Sequence, residues 1–185
     1  MTRKLSHDEV ARHRFTEEEL RTQDRYPIYA LLDNVRSLYN VGSIFRTADG
    51  ARITKLLLCG FTPYPPRKEI EKTALGATNT VPWEYFKHAS DAVDYLRKKS
   101  IRLCIVEHTD RSIPYYDLER KDFPLCLALG NEITGVTKEV VSTADLAIDI
   151  PMYGMKQSLN VAVAFGITIF ECLRICGDGK GPTPH

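Results

Sequence analysis

Asp149-Ile-Pro-Met-Tyr-Gly-Met-Lys-Gln-Ser-Leu-Asn-Val-Ala-Val-Ala-Phe-Gly-Ile-Thr-Ile-Phe-Glu171 sets the architecture of this chain. An apolar strand end runs into Pro151 and Gly154, a short loop follows, and a long apolar segment opens at Ser158, Leu159 and Asn160. Over 159–176 apolar residues fall on every side of a helical wheel, not in one stripe. Such a helix is buried on more than one face. One face is expected to cover the chain's own sheet, and another to meet something else, a second copy. Gln157, Ser158 and Asn160 sit where helix N–H groups are free and polar ligands can be held. Small polar caps are equally what any buried helix needs at that position.

With 185 residues, the sequence reads as one domain large enough for a proper core. Apolar content of 43% and charged content of 26% are ordinary for a globular chain, and the net charge of +1 does not announce a nucleic-acid partner. Locally, Arg3, Lys4, Arg12, His13, Arg14, Arg21 and Arg25 cluster near the start. No apolar run reaches the ~18 residues of a membrane span. The five cysteines follow no disulfide or zinc spacing, and Cys59, Cys104 and Cys126 lie in strand-like runs. They are expected to be reduced core thiols of a cytoplasmic protein.

Outward from the C-terminal helix, the pattern alternates. Strands are expected over 28–33, 53–60, 81–86, 101–106, 125–130 and 146–150, with helices over 43–51, 69–75, 89–99 and 137–142. Val93 and Leu96 should point inward. Residues 1–25 form a charged helical arm, with a capping box at Ser6–Glu9 and a second start at Thr16. The main domain spans 26–176, and the Gly- and Pro-rich tail 177–185 reads as disordered. Strands alternating with helices give an α/β fold, a mostly parallel sheet with helices on both faces. Ligands then bind outside the carboxyl ends of the strands, which singles out the loops 33–42, 107–112, 130–135 and 151–158.

The usual nucleotide and hydrolase fingerprints are absent: there is no Walker A and no Gly-x-Ser-x-Gly. Three segments do carry chemistry. They are Asn40-Val-Gly-Ser-Ile-Phe-Arg46, Leu129-Gly-Asn-Glu-Ile-Thr-Gly135 and Ile150-Pro-Met-Tyr-Gly-Met-Lys-Gln-Ser-Leu-Asn160. In this order and at this spacing they resemble the three signature motifs of the SpoU (TrmH-type) RNA ribose 2′-O-methyltransferases of the SPOUT superfamily, over about residues 28–176. Leu38-Tyr39 and Ile133 depart from the commonest pattern at positions flanking the motifs.

The resemblance implies a C-terminal deep trefoil knot, S-adenosylmethionine as cofactor, an RNA substrate (tRNA or rRNA) and a homodimer through the C-terminal helix. It implies no metal and no membrane. The reaction it implies moves a methyl group to a ribose 2′-hydroxyl. For catalysis it points to Arg46, Asn40, Glu132, Ser158 and Asn160. Arg46 would act at the hydroxyl, as a base or as an electrostatic clamp; because a guanidinium is almost never neutral, the clamp is at least as good a reading as the base. Asn40 would orient Arg46 or the ribose, and Glu132 would bond Arg46 or cofactor hydroxyls. Gly130, Asn131, Ile150, Leu159, Ser158 and His108 would hold the cofactor, with Gly130 small so that the ligand can approach. The readings that compete are a knotted-fold base methyltransferase and an RNA-binding adaptor without activity.

Overall fold

The computed structural model describes residues 2–11 and 15–177. The 178–185 part of the expected tail, and Arg12, His13 and Arg14 of the basic cluster, lie outside the described residues. Two short helices, α1 (His7–Ala11) and α2 (Glu17–Thr22), open the chain. The expected capping box is present: the Glu9 amide donates to Ser6 Oγ, and the Ser6 amide to the Glu9 carboxylate.

Seven strands follow: β1 (Tyr26–Asp33), β2 (Ile53–Cys59), β3 (Trp83–Phe86), β4 (Arg102–Val106), β5 (Ile113–Pro114), β6 (Leu125–Leu129) and β7 (Leu146–Asp149). They form one sheet in the order β3-β2-β1-β6-β4-β7-β5, and every pairing is parallel. In the centre, Ala30 lies between Leu56 and Leu127. Both faces of these strands are covered, which is why they read as continuous apolar runs and not as alternation. The strand period of two divides their side chains between two cores. Ala30, Leu32, Leu56, Leu58 and Leu127 face one, and Leu31, Leu57, Cys126 and Ala128 face the other.

The first core is roofed by α3 (Leu38–Gly50), α4 (Lys68–Ala74), α5 (Ala77–Thr80) and α8 (Val161–Cys176). The second is roofed by α6 (Ala89–Lys98) and α7 (Lys138–Val141), with Val93 and Leu96 inward as expected. Helix α3 begins at Leu38, five residues before the expected start. Ser37 caps it, its Oγ accepting from the Asn40 amide at 3.3 Å, so a stretch that reads as polar loop is the first helical turn. The short elements β5 and α5 have too few residues for a periodic signal and are not legible in the sequence.

Helix α8 confirms one half of its reading and leaves the other open. Val161, Phe165, Thr168, Ile169 and Cys172 are buried against the sheet and α3, while Val163 and Phe170 remain half exposed. Asn160 caps it, Oδ1 accepting from the Ala162 amide at 2.9 Å. α3 and α8 run side by side in the same direction: Asn40 meets Asn160 at one end, and Gly50 lies beside the Phe170 ring at the other. All five cysteines are buried. Burial pushes the Cys104 thiol up to about 12, so the thiol stays protonated at neutral pH. Among the described residues, no helix is long and apolar enough to cross a membrane.

Candidate functional site

The strand order reverses between β1 and β6. The chain leaves β1 for α3 on one face of the sheet and leaves β6 for α7 on the other, which makes this pair of strands the topological switch point of the sheet. Both loops are built around asparagines. Asn131, buried at 8% exposure, accepts from the Ile133 and Thr134 amides and donates Nδ2 to the Asn34 carbonyl at 2.9 Å. Reciprocal backbone bonds between Asn131 and Gly135, at 3.0 and 2.9 Å, close the 130–135 loop into a tight turn. Asn131 therefore fixes backbone.

Gly130 has a cause within the chain for being glycine. A Cβ there would run into the backbone of Gly135 and Val136. The return of the loop onto residue 130 is by itself enough to require glycine there, and Gly130 also lines the cleft described below.

Glu132 is held elsewhere than expected. Oε2 accepts from the Arg36 amide, and Oε1 from the Ser37 amide and Asn40 Nδ2, all at 3.0 Å. Its contacts are thus with the loop after β1 and the start of α3, not with Arg46. Burial pushes the carboxyl pKa up, but hydrogen bonds from the amides of Arg36, Glu132 itself and Ser37, and from the Asn40 side chain, outweigh it. The net position is below the usual carboxylate range. A depressed pKa means that the clamp is present above the unfolded carboxyl's pKa and is lost as pH falls through the folded value. In wild-type protein the amide resonances of Arg36 and Ser37 should therefore titrate in the acid range. Glu132→Gln should abolish that titration; a titration that persists would assign it to another carboxyl.

The hydrogen-bond polarity of this cluster is fully determined. A carboxylate only accepts, so Asn40 turns its NH2 to Glu132 and leaves Oδ1 for Asn160 Nδ2, at 3.1 Å. Asn160 in turn leaves its own Oδ1 for the Ala162 amide. One relay, Glu132–Asn40–Asn160, joins three segments separated by up to 120 residues in sequence.

Beside the relay lies a cleft of about 300 Å³ outside the carboxyl ends of β4, β6 and β7. Gly130, Asn131, Glu132 and Ile150 line one part of it, and Ser158, Leu159, Asn160 and His108 another. His108 Nε2 lies 3.1 Å from the Gln157 carbonyl, and Nδ1 lies 3.6 Å from Asp149. Carboxylates that sequence reasoning did not assign, Glu107 and Asp149, also line the cleft. Glu107 accepts from the His108 and Val136 amides, and Asp149 from Ser112 Oγ at 2.8 Å. Both end parallel strands on the rim where ligands gather, which is the signal that could have found them. The chemistry offered is an apolar slot with backbone polar groups, and carboxylates that favour a cation.

Arg46 stands apart. It is exposed on α3, about 9 Å along the helix axis from Asn40 at 1.5 Å per residue. It does not line the cleft. Among the described residues no group of three or more His, Cys, Asp or Glu side chains is placed to hold a metal ion.

A family model described as the SpoU rRNA Methylase family matches residues 27–170. The tRNA (guanosine(18)-2′-O)-methyltransferase of Escherichia coli K12 is 29% identical over 143 residues, covering 77% of this chain and 61% of that protein. Its namesake from Aquifex aeolicus is 32% identical over 146 residues, covering 77% of this chain and 66% of that protein. The crystal structure of an AdoMet-bound rRNA methyltransferase from Sinorhizobium meliloti superposes with a TM-score of 0.76 at 31% identity. It covers 84% of this chain and 59% of that one. The chain thus spans about three fifths of the length of several relatives it matches.

Proposed function

The chain belongs to the SpoU rRNA methylase family, and from that premise we propose that it transfers a methyl group from S-adenosylmethionine to a ribose 2′-hydroxyl of tRNA or rRNA. The observation that carries this reading is the Glu132–Asn40–Asn160 relay, which ties all three motifs to the wall of one cleft. Similarity to enzymes named as tRNA 2′-O-methyltransferases supports ribose over base as the acceptor.

The residues of the cleft fit the cofactor. Leu129, Ile150 and Leu159 offer an apolar wall for an adenine. Glu107 and Asp149 favour a cationic centre. When bound, S-adenosylmethionine supplies an electrophilic methyl on a positively charged sulfur. The chain's own contribution is position and charge. Asn160, with its orientation fixed by Asn40, sits at the mouth of the cleft beside Ser158, where the ribose would be held. Glu132 acts one step back, positioning Asn40 and the loop after β1. Arg46 is an electrostatic clamp: its permanent cation grips the substrate phosphate and stabilises charge developing on the hydroxyl oxygen.

The chain divides into an arm (1–25), the catalytic domain (26–176) and a tail (177–185), a division supported by the family match over 27–170. The C-terminal part is read as a trefoil knot. The support is that α8 returns from β7, near one edge of the sheet, past the loops after β4 and β6 to pack on α3 and β1. A homodimer in the cytoplasm completes the reading, with α8 at the interface, since Val163 and Phe170 present apolar surface on its outer side. Phe165 is fully buried, so a charge there reports on folding, not on assembly. Phe170→Asp is the informative change: it should leave a folded monomer in light scattering. A folded, dimeric variant would move the interface off α8.

The activity itself is tested by methyl transfer from radiolabelled S-adenosylmethionine to total RNA, followed by nucleoside analysis. Label in a 2′-O-methyl nucleoside is expected. Label on a base would move the chain to the base-methylating branch of the fold, and no transfer and no cofactor binding would make it an adaptor.

A further inference from the structure

A second rim feature lies one loop away from the cleft. The edge strand β3 and the 60–67 loop carry Phe61, Tyr64 and Tyr85, exposed at 62%, 41% and 37%. Tyr64 lies against Tyr85, with ring centroids 4.5 Å apart, and stacks on Trp83 at 6.2 Å. Trp83 is fixed in turn by an edge contact with buried Phe45 at 6.4 Å. Tyr85 donates its hydroxyl to the Gly60 carbonyl at 2.7 Å. The faces of Tyr64 and Tyr85 are therefore presented on a rigid base, and Phe61, the most exposed of the three, follows the Gly60 carbonyl that Tyr85 holds.

This patch is tied to the catalytic side by the loop after β1. The Phe61 amide donates to Asn34 Oδ1, and the Val35 amide to Thr62 Oγ1. The next two amides of that loop, Arg36 and Ser37, are those that Glu132 holds. Loop 34–37 thus separates the cleft from the aromatic patch and is bonded to both. The adjoining segments carry exposed cations. Arg36 follows Val35, Arg67 closes the 60–67 loop, and Lys87 lines a hollow of about 200 Å³ together with Gly60 and Asn34. Of the acids at that hollow, Asp33 is buried and bonded to Asn34 Nδ2 and the Thr137 amide, and Glu139 is exposed.

Exposed aromatic faces with cations on the adjoining segments suit an unpaired nucleotide, the base stacking and the phosphate meeting a charge. We propose that Phe61, together with Tyr64 and Tyr85, is a stacking platform for an unpaired base of the RNA substrate, a nucleotide flanking the one that is methylated, and that Lys87 meets its phosphate. This rests on the reading of the cleft as an RNA methyltransferase site. Because stacking tolerates any base, the platform would engage single strands and ignore duplexes.

The test compares a fluorescein-labelled 12-nucleotide oligoadenylate with a 16-base-pair RNA duplex, by anisotropy at low salt. Phe61→Ala should weaken oligoadenylate binding about tenfold, within the range for loss of one stacking aromatic, and leave duplex binding unchanged. Phe61→Trp should restore it. Lys87→Ala should lower the slope of log K against log salt by about 0.7 for the single strand. S-adenosylmethionine affinity, measured by calorimetry, should be equal in all variants, showing loop 34–37 intact. Unchanged oligoadenylate affinity in Phe61→Ala would overturn the platform, as would an equal loss for duplex and single strand. The readout is binding, so a failure of methyl transfer by the wild type would sink the catalytic reading separately and visibly.

Discussion

Arg46→Ala should lower methyl transfer at least ~100-fold, the scale of losing one preorganised charge at a developing oxyanion, while S-adenosylmethionine affinity stays at the wild-type value. The clean separation follows from where Arg46 sits. It is exposed on α3 and lines no part of the cleft, so its removal takes nothing from the cofactor's binding surface. The buried neighbours that hold α3 in place, Val41, Ile44, Phe45 and Ala48, are untouched. An exposed substitution of this kind changes stability by no more than ~0.5 kcal/mol. A loss of activity is then a loss of chemistry. Arg46→Lys separates the two roles. A clamp that needs the planar fork loses most of its activity with lysine, although the charge is kept. A base would instead gain from lysine's lower pKa, and the variant's rate would rise with pH. Wild-type activity in Arg46→Ala would remove Arg46 from the mechanism altogether.

Arg46 also shows how far the sequence could be read. Its motif, with Asn40 six residues earlier, marks both positions, but only the structure shows that they part company. Asn40 turns into the relay while Arg46 stays in solvent. The sheet was legible because doubly buried strands such as Leu125–Leu129 leave no polar residue to confuse the pattern. The capping role of Asn160 was legible as well, and the structure shows that capping and site-building are not alternatives. One amide group does both, Oδ1 to the helix and Nδ2 to Asn40. What the sequence hid are the long-range partners. Nothing local to Glu132 says that its carboxylate reaches backbone amides 95 and 96 residues away. Periodicity and motif spacing encode what a residue is next to in sequence, and the Glu132 contacts join two segments that the β1–β6 pairing brings side by side.

Gly130→Ala tests the return of the loop onto residue 130, and its effect should be large for so small a change. If glycine were there only to let a ligand approach, a methyl group would weaken cofactor binding and leave the free protein as stable as before. The structure supports a different outcome. The added Cβ meets backbone atoms of Gly135 and Val136, which have no flexible end to swing aside, so the 130–135 loop itself must move. Moving it strains the Asn131–Gly135 pair, the Asn131 bond to the Asn34 carbonyl, and the Glu132 clamp on Arg36, Ser37 and Asn40. Overpacking of this kind costs about 1–3 kcal/mol. The free variant should therefore show a lower Tm, faster exchange of the amides in loops 34–37 and 130–135, and S-adenosylmethionine affinity reduced at least ~tenfold. Methyl transfer should fall further still, because the relay that sets Asn160 is displaced with the loop. An unchanged Tm combined with weakened cofactor binding would restore the ligand-approach reading of Gly130. An unchanged Tm with unchanged binding would mean that the loop accommodates the methyl group, and that the close return of the chain at Gly135 is not what holds the site together.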